Sequence, residues 1–232
     1  MREIVLDTET TGLDPKSGHR IVEIGCVELI NHVPSGEVYH QYINPERDMP
    51  VEAERVHGLS ESFLSGHPVF ADIAEAFVAF VGEAPLVIHN AAFDMGFINA
   101  ELALLGMTPI DKSRAIDTVT MARRKFPGAQ ASLDALCRRF GIDLTDRQLH
   151  GALLDAQLLA SVYLELLGGR QHGMDLAADA AANATTVGNS VADPSFAVSG
   201  RREPRAHAPS SEELARHAEF LGKIKDPIWL RG

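Results

Sequence analysis

The sequence predicts an α/β fold: a mixed central sheet flanked by helices, followed by a flexible linker and a short C-terminal helix. Three observations carry this. Strand-like apolar runs come first and together, and only then do strands alternate with helical patterns. The helical segments are rich in Leu and Ala and stop at glycines. After Gly169 the composition turns to Ala, Ser, Thr, Asn, Pro and Gly.

The elements follow in order. Arg2–Asp7 is an apolar strand around Ile4-Val5-Leu6, followed by a loop carrying Gly12, Pro15 and Gly18. Ile21–Ile30 and Glu37–Ile43 read as the second and third strands, joined through the turn-rich Asn31–Gly36. Val69–Val81 has helical periodicity and stops at Gly82. Leu86–His89 is a short buried strand, and Ala92–Leu105 a helix ending at Gly106. Ala115–Asp117 is a last strand, followed by helices at Val119–Lys125, Leu133–Phe140 and Gly151–Leu167.

Composition narrows the class. With 45% hydrophobic residues in 232, the chain can bury a sizeable core in one domain plus appendages. No run approaches the length of a membrane span, and the first residues lack the basic and apolar regions of a signal peptide. Cys26 falls in a strand and Cys137 in a helix, too few for a disulfide framework or a zinc site; the expectation is reduced thiols in the cytoplasm. The net charge of −11 is unusual for a protein that holds nucleic acid alone, because phosphate neutralisation dominates such affinity. An acidic chain of this kind would grip a nucleic acid poorly on its own.

Four acids and a histidine stand out. Asp7 and Glu9 follow the first apolar run, Asp94 closes Asn90-Ala91-Ala92-Phe93-Asp94, and His150 and Asp155 frame His150-Gly151-Ala152-Leu153-Leu154-Asp155. Taken singly, Asp7 and Glu9 fit a solvated strand end, Asp94 a helix first turn favoured by the macrodipole, and His150 a helix start without chemistry. Asp155 does not fit so simple a role. Its neighbours three and four residues away are Gly151, Ala152, Leu158 and Leu159. The polar stripe Gln157, Ser161, Glu165 is centred about 120° away around the helix. A carboxylate on an apolar face is costly unless paired or bound to a metal.

Asp-x-Glu on a strand, then Asn-x-x-Phe-Asp, then His-x-x-x-x-Asp, in that order, resembles the DEDDh exonucleases. The resemblance implies the ribonuclease H-like fold and hydrolysis of a phosphodiester with two divalent cations, Mg²⁺ or Mn²⁺, held by Asp7, Glu9, Asp94 and Asp155. Asp7 would bridge the ions, Glu9 and Asp155 complete one, and Asp94 hold the other; His150 would deprotonate the attacking water. The four carboxylates and two cations would offset one another in charge. Within the family the likeness is to the proofreading (epsilon) subunits of bacterial DNA polymerase III, over roughly Met1–Gly168. It includes Asp7-Thr8-Glu9-Thr10-Thr11-Gly12-Leu13 and Glu52-Ala53-Glu54-Arg55-Val56-His57-Gly58-Leu59. It implies that the terminal nucleotide of a single-stranded or frayed DNA 3′ end meets Asp7, Glu9, Thr10, Thr11, Glu52, His57, Phe93 and Asp155. Without that likeness His57 reads as a loop residue beside a turn glycine. Asp117, in Ile116-Asp117-Thr118, is assigned a strand-end or helix-cap role and no metal.

The expected division is residues 1–169 for the exonuclease domain, 170–210 for the linker and 211–232 for a partner-binding segment. As a coil, the 35 residues of Ala177–Ser211 would span roughly 30–35 Å root-mean-square. Gln171-His172-Gly173-Met174-Asp175-Leu176 is similar to the peptides by which bacterial proteins dock on the sliding clamp, with Gln171, Met174 and Leu176 as anchors. Ser210-Ser211-Glu212-Glu213 resembles a capping box opening a short helix. Leu214 and Leu221 lie on one face of it, followed by Ile228 and the single tryptophan, Trp229. These residues have no core to enter, and the resemblance implies the polymerase III catalytic (alpha) subunit as their partner. Two other readings compete: a DEDDh nuclease acting on RNA or repair intermediates, and a scaffold between clamp and polymerase with an inactive nuclease fold. The first needs neither linker nor apolar tail, and the second does not need all five catalytic-type residues.

Overall fold

In the computed structural model, residues 1–145, 149–169 and 209–223 are described. The sheet is built on β1 (Arg2–Thr10), whose two neighbours run in opposite senses. β2 (Ile21–Ile30) pairs with it antiparallel and β4 (Leu86–Ile88) parallel. With β3 (Val33–Tyr42) outside β2 and β5 (Ala115–Asp117) outside β4, the order is β3-β2-β1-β4-β5. This is the expected mixed sheet.

Alternation along β1 assigns its two faces. Ile4 and Leu6 face one core with Ile24, Cys26, Phe77, Ile88 and Phe97. That core is covered by α3 (Phe70–Val81) and α4 (Ala91–Leu104). Val5 faces a second core with Val27, Leu29, Val87, Leu136, Leu159 and Val162. It is covered by α5 (Thr118–Lys125), α6 (Leu133–Phe140) and α7 (Ala152–Leu166). Side chains such as Phe77, Ile4 and Leu6 are fully buried, each contributing about 1.5–3 kcal/mol of transfer free energy.

Three expectations need correction. β1 extends past Asp7 to Thr10, because Thr8 to Thr10 pair with Ile24 to Ile21 of β2; Asp7 and Glu9 are therefore inside a strand. The β2–β3 turn is only Asn31-His32, both at positive φ (52° and 66°), the combination that fits the strand twist. β3 accordingly starts at Val33 and not at Glu37. Two helices, α1 (Val51–His57) and α2 (Glu61–Leu64), were not expected at all. α1 has exposed Val51 and Val56 and no apolar stripe, so nothing periodic marks it. It stops at Gly58, which takes the left-handed conformation at φ 77°; His57 ends a helix and is not in a loop.

α8 (Ser211–Gly222), a separate element, opens on the expected capping box. Ser210 Oγ accepts from Glu213 N, and the Glu213 carboxylate accepts from Ser210 N. Leu214 and Leu221 lie on this helix; Leu214 is exposed as expected, but Leu221 is buried, contrary to the expectation that neither has a core to enter. Gln171, Met174, Leu176, Ile228, Trp229 and residues 170–208 of the expected linker lie outside the described residues. Among the described residues no helix is long and apolar enough to cross a membrane.

Candidate active site

Asp7 and Glu9 sit two residues apart on β1, so both carboxylates project from one face near the strand's C-terminal end. Asp7 lies opposite Gly25 of β2, and Glu9 opposite Glu23. A Cβ at Gly25 would overlap the backbone of Ala152 and Leu153. Only a hydrogen there lets the first turn of α7 lie against the sheet, and that turn carries Asp155, 3% exposed, toward Asp7. Asp94 arrives from the start of α4, where its Oδ1 accepts from Thr8 N at 3.0 Å and Thr8 Oγ1 at 2.7 Å. Asn90, at φ 66°, turns the chain into that helix, and its N–H donates to Asp117 Oδ1. Asp117 also accepts from Val119 N as the cap of α5, the role expected of it.

His150 precedes α7, with Nδ1 3.3 Å from Asp155 Oδ2 and its backbone N–H donating to Val56 O of α1. Its side chain is half exposed. Ligand-type atoms of Glu9, His150 and Asp155 lie within 4.8 Å of one another. All five residues of the expected set are therefore drawn to one end of β1, although 148 positions separate Asp7 from Asp155.

The electrostatics are those of a site built for cations. Burial, then the charges of Asp94, Glu9, Asp155 and Glu23, holds the Asp7 carboxyl well above the usual range. Burial pushes Glu9 up to about 8; Asp155, Glu23 and Asp94 add to this, and His150 opposes it. Burial pushes Asp94 up to about 7 against the hydrogen bonds from Thr8. The charges acting on Asp7 are all carboxylates, so nothing in that set neutralises it. An all-oxygen donor set under mutual repulsion suits hard divalent cations.

A cleft of roughly 630 Å³ opens beside Glu9. Thr10, Thr11, Glu52, His57 and Phe93, all expected at the terminal nucleotide, line it with Glu9. Asp7 and Asp155 line a smaller cleft on the other side, of roughly 290 Å³, with His150. His57 is buried, and its Nδ1 accepts from Leu59 N at 3.0 Å. The neutral ring then carries its proton on Nε2, which makes no well-formed hydrogen bond among the described residues; burial keeps the imidazole's pKa below its ordinary value, opposed by the Thr10 backbone. A buried donor of this kind at a cleft wall is poised for a ligand. Thr10 and Thr11 are otherwise engaged. Thr10 Oγ1 donates to Gly12 O at 2.6 Å, and Thr11 Oγ1 accepts from Arg20 N and meets His19 Nδ1. Their hydroxyls shape the loop after β1, and a bidentate Arg20–Glu101 pair at 2.7 Å ties that loop to α4.

Several contributors escaped the sequence reading. Thr8 fixes Asp94, Gly25 admits α7, and Val56 O holds the His150 backbone. Of these only Thr8 had a signal, its place inside the Asp-Thr-Glu triple.

Comparison with known proteins agrees with this geometry. The exonuclease family model matches residues 4–163. The DNA polymerase III subunit epsilon of Rickettsia conorii is 50% identical over 227 residues, covering 97% of this chain and 96% of that protein. The DNA polymerase III subunit epsilon of Escherichia coli K12 is 48% identical over 177 residues, 73% of this chain and 72% of that one. Among solved structures, the nuclease domain of 3′hExo, a DEDDh family member bound to rAMP, shares the fold. Its TM-score is 0.63 at 19% identity, over 72% of this chain and 91% of that one. The chain thus belongs to the exonuclease family and, within it, to the DNA polymerase III epsilon subunits.

Proposed function

We propose that this chain removes mispaired nucleotides one at a time from the 3′ end of DNA during replication, releasing 5′-mononucleotides by two-metal hydrolysis. The observation that carries this is the convergence of Asp7, Glu9, Asp94, Asp155 and His150 beside a cleft lined by the buried His57.

Asp7, Glu9, Asp94 and Asp155 would hold two divalent cations, Mg²⁺ or Mn²⁺. When bound, such ions activate the attacking water and stabilise charge on the phosphate and the leaving 3′ oxygen. Asp7, central among the acids, is the natural bridge, and Thr8 keeps Asp94 turned inward. His150 takes the proton of the attacking water, with Asp155 orienting its ring. His57 Nε2 and Glu52 receive the sugar end of the terminal nucleotide, and Phe93 offers its ring to the base. A mismatched end unpairs at lower cost than a matched one, so it enters this cleft more often without any base being read. Replacing His150 by Ala is expected to slow release of mononucleotides by about 10²–10⁴ while divalent-ion binding is largely kept. Single-turnover assays with calorimetric titration of Mn²⁺ check this, and an unchanged rate would remove His150 from the base role.

The setting we infer is the bacterial cytoplasm, on the polymerase III catalytic subunit through residues 211–232 and on the sliding clamp through Gln171, Met174 and Leu176. The capped α8 with Leu214 exposed supports the first contact. Tethering raises the effective concentration of an acidic enzyme at the primer end without any new DNA contact. Deleting Ser211–Gly232 should leave activity on short single strands nearly unchanged and abolish co-elution with the catalytic subunit. Stoichiometric co-elution of the truncated chain would place that contact on the exonuclease domain.

A further inference from the structure

The catalytic acids stand between two clefts, and a bound strand must use both. On the proposed reading the terminal nucleotide fills the cleft of Glu9, His57 and Phe93. The rest of the strand then leaves past Asp7 and His150, through the smaller cleft whose outer wall is Ser132, Leu133 and Asp134. These residues form the cap and first turn of α6. The second turn of the same helix faces a further groove, lined by Ala129, Gln130, Ala135, Arg138 and Arg139. One helix thus runs from the reacting centre to an arginine-lined groove. From Ser132 to Arg138 it rises about 9 Å, so the groove lies more than one nucleotide of an extended strand from the reacting centre.

The charge of this region is opposite to that of the chain. Between Thr118 and Phe140 lie Arg123, Arg124, Lys125, Arg138 and Arg139 against a single acid, Asp134, in a protein of net charge −11. The fold uses Lys125 itself, whose Nζ donates to Glu165 O and Leu166 O at the end of α7. Arg139 lies over the Phe126 ring at 4.5 Å, which fixes its guanidinium at the surface. Arg138 is 72% exposed and meets Asp134 only at 3.8 Å. A stacked guanidinium and an exposed neighbour beside the exit of a strand-binding cleft match the planar, fork-like donors that phosphate recognition favours.

We propose that Arg138 and Arg139 of α6 hold phosphates of the substrate strand on the 5′ side of the scissile bond, beyond the reach of a dinucleotide. The site deepens the exonuclease reading and rests on it. It gives an acidic enzyme a local grip on DNA.

The test compares substrates of two lengths in the full chain. A dinucleotide has one scissile phosphodiester and no phosphate that reaches α6; a 12-nucleotide single strand has many. Arg138→Gln with Arg139→Gln is expected to raise KM for the 12-mer at least tenfold, with kcat on both substrates and KM for the dinucleotide unchanged. The salt dependence of 12-mer binding should flatten by about 0.7 in log–log slope for each phosphate that is no longer neutralised. Arg138→Glu alone spares the Arg139–Phe126 stack and should move the same quantities in the same direction. Unchanged 12-mer KM and salt slope in both variants would overturn the proposal and send the strand out by another face. Binding of the 12-mer to Asp7→Ala protein, with and without the arginine changes, reads the surface independently of turnover. A parent chain that hydrolyses neither substrate would refute the exonuclease reading, while equal 12-mer binding with and without the arginines would refute this one.

Discussion

Replacing Asp7 with Ala is expected to lower Mg²⁺-dependent release of mononucleotides from single-stranded 3′ ends by at least about 10³-fold and to raise the melting temperature in metal-free buffer. Both effects have one origin. Asp7 is the carboxylate on which Asp94, Glu9 and Asp155 all act. Losing it would remove a carboxylate proposed to hold the cations, worth several kcal/mol of transition-state stabilisation. Without cations, ionising this carboxyl costs its burial and the repulsion of Asp94, Glu9 and Asp155. The pH dependence follows with a definite sign. Glu9 titrates at about 8 and Asp94 at about 7 in the fold, both above their values in an unfolded chain. Between roughly pH 4 and 8 the native state holds protons that the unfolded state has released, so metal-free stability falls as pH rises. At ~1.4 kcal/mol per pKa unit, the loss reaches on the order of a few kcal/mol by pH 8. Adding Mg²⁺ should restore it, and Asp7→Ala should flatten the profile. Thermal melts at pH 5 and 8, with chelator and with Mg²⁺, measure this. A metal-free parent more stable at pH 8 than at pH 5 would contradict the shared-charge account.

Gly25→Ala is expected to damage the enzyme nearly as much although it carries no chemistry. The added methyl meets the backbone of Ala152 and Leu153, not a side chain that could rotate away. α7 must shift outward, at a cost of about 1–3 kcal/mol for overpacking. Asp155 moves with it, and a displacement of about 1 Å at a reacting centre costs on the order of 10² in rate. Gly96→Ala in α4 is the matched control. Nothing lies within 4 Å of a Cβ there, and a helical alanine should add up to about 1 kcal/mol of stability. Guanidinium melts and single-turnover rates for the two variants should separate cleanly. Normal activity in Gly25→Ala would mean that the α7 contact is not what places Asp155.

What could be read from the chain, and what could not, divides along a physical line. β2, β5 and α6 have the expected bounds, α3 and α5 differ by a residue at one end and α4 and α7 by a residue at each end, because each has its own apolar period and its own stop. Asp155 betrayed itself by standing on an apolar helix face, and it is buried there. Asp117 was legible as a cap because cap chemistry is local. α1 was illegible, being short and without a stripe, and so was the true length of β1, because Thr8 to Thr10 are strand only by virtue of β2.

The sequence by itself determined the fold class, the bounds of most helices to within a residue and, through a family resemblance carried by short motifs, five candidate site residues, since residue type and short-range spacing encode each of these. Only the tertiary structure decided how they act together. It set Asp7 opposite Gly25, let α7 approach through the missing side chain, gave Asp94 its orientation from Thr8 and buried His57 at the cleft wall. It also set Ser132 to Asp134 of α6 in the cleft wall with Asp7, and Arg138 and Arg139 of the same helix in a second groove. Those relations join residues up to about 150 positions apart. They depend on strand register and helix approach, which are fixed by packing and leave no periodic trace along the chain.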